Sequence, residues 1–229
     1  MARVVKEQEY AARRAEILDV AQRLVATKGY APMTIQDILD ELRISKGAFY
    51  HYFDSKPALL EAILERMLRE VEAIVIPLVE TPELSAVEKF HRFLATAAQW
   101  KTAQKEFVLA LLRVWYTDEN AVVRQKLRSR MVKEVAPLLA AIIQQGVQEG
   151  VWTTGYPDQV GEVVLSLVYD LSDTVAGHLL ASDPVCDPLF RMQRSLAAYT
   201  EALERVLGAA PGSIQVIDPA ILAEWTVAQ

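Results

Sequence analysis

The sequence predicts an all-α fold, and three observations carry that prediction. Apolar residues recur three and four positions apart through most of the 229 residues, the period of a helix with one buried face. No stretch alternates Val, Ile or Thr with polar residues as a half-buried strand would. Capping and breaking residues stand where the periodic stretches begin and end.

In order along the chain, Ile17, Leu18, Ala21, Leu24 and Val25 make the inner face of a first helix over 10–29, closed by Lys28 and Gly29. Thr34 has the side chain of an N-cap, and Asp37, three residues on, suits the positive end of a helix over 34–42. Ile35, Ile38, Leu39 and Leu42 give that helix its inner stripe. Residues 43–45 turn the chain, and Ser45 caps a third helix over 46–52. Ser55 opens a fourth, with Pro57 tolerated in the first turn, running through Leu59, Leu60, Ile63, Leu64, Met67 and Val71 to Pro77. The boundary Thr81-Pro82-Glu83-Leu84-Ser85 follows. Longer helices are expected near 84–101, 105–117, 119–148, 158–181 and 186–207, and Asp218-Pro219 starts a short last one. The predicted domains are 1–56, a three-helix unit, and 57–229, a larger helical one.

Composition narrows the class. Apolar residues make up 52% of the chain and the mean hydropathy is +0.14, a surplus that a soluble protein spends on a subunit interface or an apolar cavity. No uninterrupted apolar run nears the roughly 18 residues of a membrane span, and the first residues lack a signal peptide's apolar stretch. The single cysteine, Cys186, excludes an internal disulfide and a multi-cysteine metal site. A soluble cytoplasmic protein, without a membrane partner, is the expectation. The net charge of −6 is unevenly spread: residues 1–56 carry +1 and the remainder −7. Because phosphate attraction is screened over about 8–10 Å, that balance leaves the N-terminal unit free to bind nucleic acid.

Two short helices around a three-residue turn have helix-turn-helix geometry. The second, Ser45-Lys46-Gly47-Ala48-Phe49-Tyr50-His51-Tyr52-Phe53, spaces Phe49 and Phe53 to face inward. Lys46, Gly47, Tyr50 and His51 then face out, an unusual set for plain solvent. Lys46, Tyr50 and Lys56 suit phosphates, and Gly47 and Ala48 let backbone approach a groove closely.

The run from Thr34 to Leu60, centred on Ser45-Lys46-Gly47-Ala48-Phe49-Tyr50-His51-Tyr52-Phe53-Asp54-Ser55-Lys56, resembles the DNA-binding domain of the TetR repressor family. The likeness extends over about residues 10–65, and includes Gly29 and Tyr30 after the first helix. It departs at the turn, where Arg43 stands in place of the usual glycine, and at Leu39 and Leu42, where small residues are usual.

The resemblance implies a repressor that binds double-stranded DNA at a palindromic operator and is released by a small-molecule effector. It implies that Thr34 touches a phosphate and Gln36 lies near the major groove. Ser45, Lys46, Gly47, Ala48 and His51 fall where bases or adjacent phosphates are read, and Tyr50, Tyr52 and Lys56 at backbone-contact positions. The middle helices would enclose an effector, with Trp100, Phe107, Leu111, Trp115 and Tyr169 as pocket walls and a hydrophobic or aromatic ligand favoured. The helices near 158–181 and 186–207 would dock against their copies in a homodimer, holding two recognition helices about 34 Å apart. The fourth helix is the natural lever between ligand and DNA.

Other chemistry finds little support. Asp170 and Asp173 share a helix face, but His178 lies well around the helix from both, so no metal site and no cofactor are expected. His91 and Cys186 have no spacing or motif that makes them a catalytic pair. The alternatives are a helical enzyme with an incidental corner, which lacks an evident nucleophile or acid/base set, and a family member without an effector.

Overall fold

Every regular element in the computed structural model is a helix, among the described residues 2–181 and 187–226. Cys186 and the expected start of a helix at 186 lie outside them. The helices are α1 (Ala2–Lys28), α2 (Ile35–Leu42), α3 (Lys46–Tyr50), α4 (Lys56–Glu80), α5 (Ala86–Ala103), α6 (Lys105–Trp115), α7 (Ala121–Glu134), α8 (Ala136–Gln148), α9 (Val160–Leu180), α10 (Pro188–Leu207) and α11 (Pro219–Glu224). A 3-10 turn over Asp118–Asn120 joins α6 to α7.

Three boundaries differ from the sequence expectation. Helix α1 starts at Ala2 rather than near 10, because nothing before Gly29 breaks it and its first half is rich in Ala, Arg, Lys, Glu and Gln. Helix α4 runs past Pro77 to Glu80, where the Thr81 hydroxyl donates to the Pro77 carbonyl at 2.8 Å. The single helix expected over 119–148 is two, divided at Val135. Pro137 has no N–H to return to the preceding turn, so α8 begins afresh with the proline in its first turn.

The chain forms two compact units, residues 1–68 with 104–127, and 69–103 with 128–229. The expected division at 56/57 is therefore not where the structure divides. Leu59, Leu60, Ala62, Ile63 and Leu64 of α4 are buried in one apolar cluster with Ile17, Leu18, Val25, Ile38, Phe49 and Phe53. Phe107, Leu111 and Trp115 of α6 join the same cluster. A three-helix corner of this size has a small core of its own, and here α4 and α6 complete it. Polar contacts reinforce this packing: Arg66 reaches Asp19 and Gln22, each at 2.5 Å.

The second unit is built on α5, α8, α9 and α10, with α11 beside α5 and α10. Its core includes Phe90, Leu139, Ile142, Ile143, Trp152, Val164, Met192, Leu203 and Leu207. Two of its helical glycines permit close approaches. A Cβ on Gly146 would stand 2.1 Å from the Trp152 ring, and one on Gly161 would stand 2.5 Å from the Ala136 carbonyl oxygen. Helix α9 is long and apolar enough to cross a membrane by length and composition, with mean hydropathy 1.3 in its most apolar window and 28% of that window buried. In this fold it packs between α8 and α10.

Candidate nucleic-acid interface

The helix-turn-helix is held by its own caps. Thr34 and Asp37 form a reciprocal capping box at the start of α2: the Asp37 amide donates to the Thr34 hydroxyl at 3.2 Å, and the Thr34 amide donates to the Asp37 carboxylate at 2.8 Å. Lys28 adds an ion pair to Asp37 at 2.7 Å. Its hydrogen bond, followed by those from Thr34, holds the Asp37 carboxyl down at about 2. Arg43 closes α2 in the left-handed region, φ 52°, a conformation that disfavours any side chain but suits the glycine usual in the resembled motif. Ser45 then caps α3, its hydroxyl accepting from the Ala48 amide at 3.1 Å.

Helix α3 carries two opposed faces. Phe49 and Phe53 are buried among α1, α2 and α4. Lys46, Gly47, Tyr50 and His51 are exposed, and Ala48 is half-buried. The Lys46 ammonium lies 5.9 Å from the Tyr50 ring centroid, close enough for a weak cation–π contact that leaves its charge available. Neighbouring cations are engaged: Arg23 pairs with Glu41 and Lys28 with Asp37. Lys46 and Arg43 are exposed, and neither has a carboxylate partner among the described residues.

The other sequence-predicted contacts are drawn into internal bonds to differing degrees. The Gln36 amide donates to Asp40 at 2.7 Å, and the Thr34 hydroxyl is occupied within the capping box. Lys56 is half-buried: its ammonium donates to the Ala31 carbonyl at 3.0 Å and lies 4.5 Å from the Tyr30 ring. Burial lowers the Lys56 pKa and pushes the Tyr30 hydroxyl up to about 12. Lys56 thus clamps the chain after α1, a packing task that motif position alone does not reveal.

Sequence reasoning overlooked Tyr10. It stands at the first position of the helix expected from the sequence, eight residues into α1, and its ring packs on both His51 and Tyr52. Its signal in the sequence, an isolated aromatic one heptad before Ile17, was too small to weigh.

The five expected pocket walls do not share a unit. Phe107, Leu111 and Trp115 lie in the core of the first, where packing against the α1 side accounts for their burial. Trp100 and Tyr169 are half-buried in the second. There the Trp100 indole N–H donates to Glu70 at 3.2 Å, and the Arg128 guanidinium lies 5.1 Å from the Tyr169 ring. Of the acidic and histidine residues on α9, Asp170 stands 3.9 Å from Arg128, and the His178 Nε2 is 3.0 Å from the Ser195 hydroxyl.

Comparison with known proteins places this architecture. Residues 17–63 match the bacterial regulatory proteins of the tetR family, and residues 113–175 match the tetracyclin repressor-like C-terminal domain. The HTH-type transcriptional repressor KstR2 of Rhodococcus jostii is 41% identical over 59 residues, 26% of this chain and 29% of that protein. The HTH-type transcriptional regulator YuxN of Bacillus subtilis is 26% identical over 179 residues, 68% of this chain and 61% of that one. The alignments thus span between about three and six tenths of these relatives' length. A TetR-family regulator from Pectobacterium atrosepticum shares the fold at TM-score 0.66 and 20% identity, over 87% of this chain and 96% of that one. Thermus thermophilus FadR, solved in complex with lauroyl-CoA, does so at TM-score 0.58 and 19% identity, over 83% and 94%. Helix-turn-helix, all-helical fold and both matched regions agree, and together they support a TetR family transcriptional regulator.

Proposed function

We propose that this protein is a cytoplasmic transcriptional repressor that binds a palindromic DNA operator as a homodimer and is released by a small-molecule effector. The observation that carries the reading is the outer face of α3. Lys46, Gly47, Tyr50 and His51 are exposed there together, over a buried Phe49–Phe53 anchor that fixes the helix. A cation without a carboxylate partner, a backbone that admits close approach and two aromatic hydrogen-bonding groups suit a major groove. Such a protein works by binding rather than catalysis.

The two-fold partner is a second copy on α9 and α10. Val163, Leu180 and Phe190 are 47%, 40% and 52% exposed, and covering them removes apolar surface from water. The effector belongs to the second unit, where Trp100 and Tyr169 remain half-buried, and a ligand with an apolar portion fits those rings. FadR's lauroyl-CoA supports that class. Release follows if the effector binds a conformation with a different separation of the two recognition helices, and DNA then weakens effector binding by the same factor. Helix α4 begins in the first unit and ends in the second without interruption, which suits it to carry the change.

Fluorescence-anisotropy titration of DNA from upstream of the protein's own gene, at several salt concentrations, tests the reading. The wild type is expected to bind below micromolar and to resist nonspecific competitor. Lys46→Ala is expected to bind at least tenfold more weakly, with a log–log salt slope shallower by about 0.9. Wild-type binding no tighter than the variant's, on that DNA and on a genomic fragment library, would defeat it.

A further inference from the structure

We infer that Tyr10 is a positioning residue for DNA readout, its ring holding the His51 imidazole in one orientation at the end of the recognition helix. Three rings meet at this point. Tyr10 and His51 stand edge to face, centroids 5.5 Å apart and planes at 83°. Tyr10 and Tyr52 lie 4.7 Å apart at 36°, and His51 and Tyr52 are 5.1 Å apart at 79°. Edge-to-face contact aligns the positive rim of one ring with the negative face of another, so the pair has a preferred geometry and not mere proximity.

No core requirement explains Tyr10. It is 39% exposed, and the buried stripe of α1 begins only at Ile17. The helix is anchored along the same line by Arg14, one turn on, whose guanidinium lies 5.0 Å from the Phe53 ring. Arg14 therefore ties α1 to the buried anchor of the corner, and Tyr10 reaches past it to the exposed end. His51 is itself exposed and caps α3, its amide bonded to the Gly47 carbonyl at 3.1 Å. An imidazole in that position with no ring beside it would sample several rotamers and lose that freedom on meeting a base edge. Held in advance by two tyrosines, it loses less, a difference of about two- to tenfold in affinity.

This inference rests on the assignment of α3 as the recognition helix, and the experiment separates the two. Duplexes selected by the wild type from a randomised library supply the probe. Base preference at each position, salt slope and thermal melting are then measured for Tyr10→Ala, Tyr10→Phe, His51→Ala and the Tyr10→Ala/His51→Ala double variant. The expected result is that Tyr10→Ala relaxes preference at the same base positions as His51→Ala, weakens binding two- to tenfold and leaves the salt slope unchanged. Tyr10→Phe restores the preference, and the double variant binds no more weakly than His51→Ala. If His51→Ala changes the profile and Tyr10→Ala does not, the inference fails while the recognition-helix assignment stands. Weakening of Tyr10→Phe to the level of Tyr10→Ala on every sequence, with base preference intact, overturns it in favour of a direct phosphate hydrogen bond by the phenol. Uniform weakening on every sequence together with a lowered melting temperature overturns it in favour of a purely structural role. An unchanged profile in His51→Ala removes the base contact, and the inference with it.

Discussion

The exposed surfaces of the two units are made of different chemistry. On the first unit, α3 shows solvent Lys46, Tyr50 and His51, groups that hydrogen-bond or carry charge. On the second, α9 and α10 show Val163, Leu180 and Phe190, which do neither. A polar face matched to phosphates gains affinity from counterion release and loses it steeply with salt. An apolar face gains from water release, responds little to salt and depends on protein concentration. Side-chain caps order helix starts in both units, at Thr34 and Ser45 in the first and at Asp187 and Asp218 in the second, and the second adds close approaches at Gly146 and Gly161. On the proposed function the two surfaces take occupants that answer to different variables, so each is expected to be disturbed without the other.

The largest expected effect strikes the first unit's anchor. Phe49→Ala empties a fully buried site and should cost about 3–5 kcal/mol of unfolding free energy, read by chemical denaturation. DNA affinity should fall with it, because the same ring fixes α3. A cost below about 1 kcal/mol would mean that the anchor is not what orders the corner.

Next in size is the second unit's apolar face. Val163→Glu with Phe190→Glu should shift sedimentation from dimer to monomer at micromolar protein, while far-UV circular dichroism stays helical. Raising salt should not separate the wild-type subunits, though it should release DNA. Dimers that persist in the double variant would place the subunit contact elsewhere.

The smallest effect is a pair of opposite pH responses. Asp37 in the first unit is held at about 2 by the Lys28 hydrogen bond and those from Thr34. Its contribution to stability is present above its ordinary value and is lost as pH falls through about 2. Glu72 in the second unit is raised, first by burial and then by a hydrogen bond shared with Glu134, with Arg130 and Arg69 opposing. Its contribution is present below its ordinary value and is lost as pH rises through the raised one. Melting temperatures between pH 2 and 8 should therefore lose their acid limb in part in Asp37→Asn and their neutral-side decline in part in Glu72→Gln. Curves parallel to wild type in both variants would show that neither carboxyl titrates with folding.

Much of this was readable because it is local. The caps at Thr34, Ser45 and Asp218, and the inward spacing of Phe49 and Phe53, are set by residues within a turn or two of one another. Helix α7 was merged with α8 because apolar periodicity continues through Val135, and the break depends on one missing N–H at Pro137. The expected pocket walls Phe107, Leu111 and Trp115 were apolar at helical spacing, a pattern that a core and a cavity share. Their place in the first unit's cluster is set by α6 returning to α1 after some 80 residues of intervening chain.

By itself, then, the sequence determined the helical class, the helix-turn-helix and the two faces of α3, since period, cap and spacing act over a few residues. Only the tertiary structure decided where the units divide, that Lys56 clamps Ala31 and Tyr30, and that Tyr10 stands against His51 and Tyr52. Those depend on which distant surfaces bury one another, and a periodic pattern states that a face is apolar without stating what covers it.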